Sequence, residues 1–337
     1  MNAALYFLED ALSDFPDPLK FKDNLSRRFT EKLNSFNIRS PYPVIINKEK
    51  GAYLYDIDGN KYADFHLNHG SAIAGHNHKT LTRFIKNGIS AGTESGMMNK
   101  FHTRLIATIS EYFRFKSVSF YNCISSAVAG LLSGLPAGTI GCTSNYLSDI
   151  LKTAGAANSG IAIRDNDYGV LFYEPLDFDN NLEPVDPMGY RAKVRIAVEN
   201  RTAFRDGVGL MVKPENTDFS ICGNILANGM DCAAVMSASR ETPMGELIPV
   251  YKTIAINETL KFYKRHGLGA KEWNRIPARH IAAQKGSIFI LKPPVDTAEL
   301  MKHGVFLSGR IGFLSTEHTY HDIRRLSHAL DSLSGTE

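Results

Sequence analysis

Apolar and polar positions follow two rhythms along this chain, and the rhythm changes near residue 117. Residues 3–37 hold helical stretches, LSRRFTEKLNSF the clearest, and run into an extended PYPVII segment. GAYLYDIDGNKYADFH gives two alternating apolar runs joined by Asp-Gly-Asn. Asp-Gly between such runs predicts a β-hairpin, because it tolerates the left-handed backbone a tight turn needs. Across residues 79–113 the apolar spacing is helical, predicting two amphipathic helices separated by SAGTESGMM. Short strand-like runs then alternate with helices: SVSFYN, the small-residue helix SSAVAGLLSGL, then TIGCTS, GVLFYEP and KVRIAVEN. That alternation predicts a largely parallel sheet with crossovers. After Pro249 a long helix, YKTIAINETLKFYKRHG, leads to a smaller α+β tail. There SIFILKP and GVFLSGRIGFLS read as strands and HDIRRLSHALDSL as a closing helix.

Composition narrows the classes. The 337 residues are 43% hydrophobic and 22% charged, and 38 basic against 35 acidic residues leave a formal charge of +3. So small a surplus gives no reason to expect a nucleic-acid or membrane partner. No stretch approaches the roughly 20 apolar residues of a membrane helix. The opening MNAALYFLEDALSDFPDPLKF lacks the basic start and apolar core of a signal peptide, so a cytoplasmic protein is expected. Cys123, Cys142, Cys222 and Cys232 are scattered without a CxxC pair, which fits free thiols.

In order along the chain, three motifs resemble the class III aminotransferases, most of all the glutamate-1-semialdehyde aminomutase branch. GAYLYDIDGNKYADFH with GHNHKTL is similar to that family's hairpin and Gly-His-x-His-Pro turn. RTAFRDGVGLMVKPENTDFSICGNILANGM is similar to the stretch from its Thr-Gly-Phe-Arg turn to its cofactor lysine, and GVFLSGRIGFLSTEHTYHDIRRLSHAL to its C-terminal strand and helix. The resemblance implies an α/β fold of type I with a mostly parallel central sheet. Residues 1–75 would be N-terminal helices and hairpin within a small α+β domain, 76–250 the large domain, and 251–337 the long helix and the rest of the small domain. It also implies pyridoxal phosphate chemistry and a homodimer.

The resemblance can be followed residue by residue. The family's lysine forms a Schiff base with pyridoxal phosphate. In the run Gly223–Gly229 its place falls to Asn224, whose amide is neither nucleophilic nor basic. Nearby Lys213 matches a surface lysine of the family. The aspartate that pairs with the pyridine nitrogen matches Val198, beside a retained acidic Glu199. The phosphate cradle matches Asn122-Cys123-Ile124-Ser125-Ser126, with Ile124 at a glycine position, although Ser125 and Ser126 could still cap the helix and hold an anion. Tyr146 keeps the ring-stacking aromatic, Leu147 replaces the histidine after it, and Glu174-Pro175 is retained. NNLEPVDPMGYRAKVRIAVEN leaves little room for the usual crossover helix.

These losses serve one ligand. The expectation is therefore a pseudoenzyme with no cofactor and a binding or regulatory role, as a homodimer or paired with an active relative. The rival expectation is an enzyme of amino-acid, amino-sugar or phosphorylated-metabolite metabolism that uses the same cleft with changed chemistry, or with non-covalently held pyridoxal phosphate. His66, His69, His76 and His78 are expected in structural or pocket roles rather than as metal ligands. Asn224 and Asn228 read as hydrogen-bonded relics, and Arg205 with Asp206 as a surface ion pair or turn cap. Lys261, Lys264, Arg265 and His266 form a basic helix end that answers the dipole, and Cys123 and Cys222 read as inert thiols.

Overall fold

The Asp-Gly-Asn signal makes the first hairpin. β1 (Ile46–Lys50), β2 (Tyr53–Asp56) and β3 (Lys61–Asp64) form an antiparallel meander. Its turn is closed by the Asp56 carboxylate, which accepts from Asn60 N and Nδ2 and from the Tyr62 hydroxyl. The computed structural model describes residue 32 and residues 44–334 except 91, 93–95, 114, 136–137, 157–160, 164–166, 206–208, 214–215 and 267–272. Apart from residue 32, the helical stretches expected within residues 3–37 lie outside the described residues.

Both amphipathic helices form, α1 (Lys79–Ser90) and α2 (Lys100–Tyr112). Asn99 caps α2 by accepting from Phe101 N at 2.8 Å, while the His102 ring accepts from Asn99 N, completing a capping box. The central sheet has seven strands: β4 (Ser117–Tyr121), β12 (Ala233–Ser237), β11 (Phe219–Cys222), β10 (Arg191–Val198), β7 (Asp167–Tyr173), β5 (Ile140–Cys142) and β6 (Ala162–Ile163), in that spatial order. β11, β10, β7, β5 and β6 are mutually parallel, and β12 runs antiparallel to both its neighbours.

The sheet is buried on both faces, and β12 shows how. Its residues alternate between two cores: Ala234 and Met236 pack with the side chains of α2 and α5 (Val250–His266), Ala233 and Val235 with those of α3 (Ile124–Gly134) and α4 (Asn145–Thr153). Double burial also explains why FSIC and AAVMS carry no alternation by which the sequence could mark them as strands. The segment after β12 folds back along the free edge of β4, where Ser119 donates to Pro243 O and Glu246 N to Phe120 O. Gly245 makes this approach possible, since a Cβ there would stand 2.5 Å from Phe120 O.

The crossover from β7 to β10 contains no α-helix, in keeping with the shortness of that stretch of sequence. Residues 174–190 form only the two-residue ladder of β8 (Leu176–Asp177) with β9 (Glu183–Pro184) and a 3₁₀ turn at Pro187–Gly189. Phe178 and Leu182 pack instead with Leu67, Ile288, Ile290 and Phe313, joining this crossover to a sheet of β13 (Ile281–Lys285), β14 (Ile288–Leu291) and β16 (Ile311–Phe313). β15 (Val305–Phe306) pairs with β3, so GVFLSGRIGFLS supplies strands to two different sheets. α6 (Thr297–Lys302) and α7 (Tyr320–Ser334) close the C-terminal core around Phe65, Leu300 and Leu326.

Arg205 differs from the surface role expected of it. It is buried, and its guanidinium donates to the carbonyls of Arg201 and Gly70 and to the Ser287 hydroxyl. Burial pulls its pKa down to about 10. It ties three distant segments together, while Asp206 lies outside the described residues. Among the described residues no helix is long and apolar enough to cross a membrane.

Candidate functional site

The C-terminal ends of β5, β7 and β10 lie side by side, the place where open parallel sheets present their loops to ligands. Ser144, Glu174, Asn200 and Arg201 follow directly from these strands. Arg201 grips Glu174 in a bidentate pair, Nε to Oε1 at 2.7 Å and Nη2 to Oε2 at 2.5 Å, with both side chains buried. Ser144 donates to Glu174 Oε2 at 2.8 Å while its Oγ also accepts from Leu147 N, capping α4. The guanidinium is layered between two aromatic faces, 4.1 Å from the Tyr146 centroid and 3.7 Å from that of Phe178. Asn200 donates to the Tyr146 hydroxyl at 2.7 Å, and burial raises the pKa of this phenol.

Several of the residues singled out in the sequence converge here. Cys123 is the N-cap of α3, its Sγ accepting from Ser126 N at 3.5 Å. Gly223 lies against both Asn200 and Ile124: a Cβ on it would meet Asn200 Oδ1 at 2.3 Å and Ile124 Cδ1 at 3.4 Å. Val198 ends β10 and Leu147 lies in α4, and both are buried in the apolar core, facing no polar partner. Glu199 is buried as well. It accepts from Met211 N at 2.5 Å and Val212 N at 2.8 Å, and burial lifts its carboxyl to about 7 despite those donors. Asn224 opens a 3₁₀ turn and donates to Asp231 Oδ1 at 3.0 Å. Asn228 takes the left-handed conformation (φ 50°) and clamps the Gly-His-x-His turn, accepting from Ala74 N and donating to Gly75 O. Lys213 is exposed, and burial raises the Cys222 thiol well above its usual pKa.

The histidines divide into two groups. His66 and His69 stack edge to face, and His69 lies 5.6 Å from the Tyr146 ring. Burial lowers both, His69 to about 3, so the pair is neutral. Leu67, Asn68 and His69 are all left-handed, a costly run for non-glycine residues. His76 instead sits between two carboxylates, Nε2 to Asp64 Oδ2 at 2.7 Å and Nδ1 to Glu49 Oε2 at 3.0 Å. Burial disfavours its charge, but the hydrogen bonds from Asp64 and Glu49 outweigh that and lift it to about 9. Among the described residues no group of three or more His, Cys, Asp or Glu is placed to hold a metal. Arg201, Asn200 and Phe178 were not singled out in the sequence. The available signal was an arginine set in the strand-end run AVENRT, opposite a retained Glu174.

Comparison with known proteins identifies the scaffold. The family described as Aminotransferase class-III matches over residues 36–130. The glutamate-1-semialdehyde 2,1-aminomutase of Heliobacterium modesticaldum is 36% identical over 93 residues, a stretch that is 28% of this chain and 21% of that relative. The β-phenylalanine aminotransferase of Variovorax paradoxus superposes with a TM-score of 0.70 at 19% identity, covering 99% of this chain and 98% of its own. An ornithine aminotransferase of Toxoplasma gondii, solved with partial occupancy of PLP at its active site, superposes with a TM-score of 0.66 at 16% identity, covering 98% and 97%. The chain thus resembles the class III aminotransferases and has the fold-type-I architecture.

These findings overturn the expectation that the chain has no cofactor. The class it resembles depends on pyridoxal phosphate, and that group occupies the active site of a protein sharing the fold, so it is the cofactor this scaffold implies. The described residues fit one end of it. At the start of α3 the Ser126 N–H donates to Cys123 Sγ, which leaves those of Ile124 and Ser125 with no acceptor within the helix, an arrangement suited to an anion. The residues that the resemblance assigns to the other end do not suit it: Val198 is apolar and buried, Asn224 carries an amide, and Tyr146 has the Arg201 guanidinium over its ring. These residues offer an anion site at a helix N-terminus and supply neither amine nor carboxylate at the positions that the resemblance assigns to the ring.

Two outcomes follow from this geometry. Arg201→Met strands the buried Glu174 carboxylate and is expected to lower the unfolding free energy by about 3–5 kcal/mol. Urea denaturation reads that loss, and adding Glu174→Gln should restore most of it. The second concerns His76, whose folded pKa of about 9 exceeds the roughly 6.5 of an unfolded histidine. Its contribution is complete below about pH 6.5 and disappears as pH rises through 9. The melting temperature should therefore fall more between pH 7 and pH 10 in the native protein than in His76→Gln; equal slopes would refute it.

Proposed function

We propose that this chain is a class III aminotransferase-like protein that has lost lysine-dependent catalysis and serves as a binding or regulatory subunit. One observation carries the reading. Where the resemblance places the Schiff-base lysine stands Asn224, an amide engaged with Asp231. Val198, buried among hydrocarbon side chains at the position of the ring-nitrogen carboxylate, supports it. So does the guanidinium of Arg201 on the Tyr146 face. Pyridoxal phosphate taken up by such a site would be held through its phosphate at the α3 N-terminus, without a covalent link.

The test is chemical trapping. Purified protein incubated with pyridoxal phosphate and reduced with borohydride is expected to give no pyridoxyl-lysine in peptide mass spectra and no visible absorbance of an aldimine. A stoichiometric adduct on one lysine, Lys213 included, would sink the reading. A homodimer belongs to the same proposal. Apolar side chains exposed on and between α1 and α2 support it, namely Phe84, Ile89, Met97, Met98 and Ile106. Analytical ultracentrifugation is expected to give the mass of two chains, and a monomer at micromolar concentration would count against it.

A further inference from the structure

An opening lies away from the strand ends. A cavity of about 600 Å³ lies between the first hairpin, the Gly-His-x-His turn, α1 and α5. None of Ile124, Tyr146, Val198, Arg201 or Asn224 lines it. Much of its wall is apolar, with Leu54, Leu81, Ile85, Met301 and Phe306 facing the space. A volume of that order is typical of sites for small organic molecules.

The polar part of the wall has a definite sign. Glu49, Asp64 and His76 all line the cavity, and two carboxylates against one imidazolium leave one net negative charge there. His66 and His78 also line it, and burial lowers the pKa of each, so neither supplies a balancing positive charge. Among the described lining residues there is no lysine or arginine. Asp64 is fully engaged at the floor, accepting from His66 N and Leu67 N as well as from His76. Glu49 is different: its side chain is 52% exposed and uses Oε2 for His76, leaving the lone pairs of Oε1 for another donor.

A second, independent feature points to a ligand. Thr259 lines the cavity from α5 and is 1% exposed, yet its hydroxyl has no hydrogen-bond partner, and the same holds for the buried Nδ1 of His78. A buried hydroxyl or imidazole without a partner costs about 1–3 kcal/mol, which a polar ligand group or an ordered water would recover. An anion would be repelled by the carboxylates, and a wholly apolar ligand would leave both groups unpaired. An ammonium group on an apolar body answers the charge and the hydrocarbon wall together, and its N–H groups can donate to a hydroxyl such as that of Thr259.

We propose that this cavity binds a small organic ammonium ion with an apolar body, its charge received at Glu49 and its body enclosed by Leu81, Ile85 and Phe306. The proposal stands whether or not Asn224 has ended lysine chemistry. The probe is 2-phenylethylammonium, titrated calorimetrically into the full chain beside 2-phenylethanol and 3-phenylpropanoate. Saturable heat is expected from the ammonium alone. Glu49→Gln should weaken binding by about tenfold or more, the worth of one hydrogen bond to a charged group. Ile85→Trp, which fills the cavity without touching the charge, should abolish it. Binding of the alcohol or the carboxylate as tight as that of the ammonium overturns the proposal. So does full affinity in either variant, or the absence of saturation by the ammonium.

Discussion

The buried pair of Arg201 and Glu174 fixes the arrangement of everything at the strand ends. Each residue begins a loop leaving a parallel strand, and neither charge could be buried alone without a penalty of several kcal/mol. Pairing them forces the loops after β7 and β10 into one register. The guanidinium then has two planar faces to cover, and Tyr146 and Phe178 cover them. Tyr146 brings α4 with it, and Phe178 brings the helix-free crossover. One ion pair thereby positions residues from three connections.

That arrangement also bears on the cofactor the scaffold implies. A stacking aromatic can present each face once, and Tyr146 spends one on Arg201. Beside it, Asn200 and Ile124 stand so near Gly223 that a side chain at that glycine would collide with the Asn200 amide. The helix N-terminus keeps its backbone N–H groups whatever the neighbouring side chains, proline excepted.

The outline of the fold was legible in the sequence because its signals are local. Asp-Gly-Asn made a hairpin, and the helical spacing across residues 79–113 made α1 and α2. What escaped was set by distant partners. β11 and β12 are short, doubly buried runs without the alternation that marks a half-buried strand. Arg205 looked like a surface cation, because nothing in RTAFRD indicates that carbonyls of Gly70 and Arg201 will meet it in the interior. At the site, Tyr146, Ile124 and Asn224 could be found by matching a family pattern. Asn200, Arg201 and Phe178 could not, since their role arises from contacts with one another across three loops.

The helix-free crossover has a consequence for how the chain reaches this structure. Loop-closure entropy grows with the number of residues enclosed, so pairing of β7 with β10 across residues 174–190 closes a short loop. Pairing of β4 with β12 must bring Tyr121 to Ala233, across most of the large sheet. By contact order alone, β11 and β12, which pair Cys222 with Ala234, are the strands favoured to meet first, with the edge pair of β4 and β12 assembled late. Without a helix in this connection, β10 pairs Arg191 with Asp167 of β7, about as local a contact as the pairing of Ile196 with Phe219 beside it.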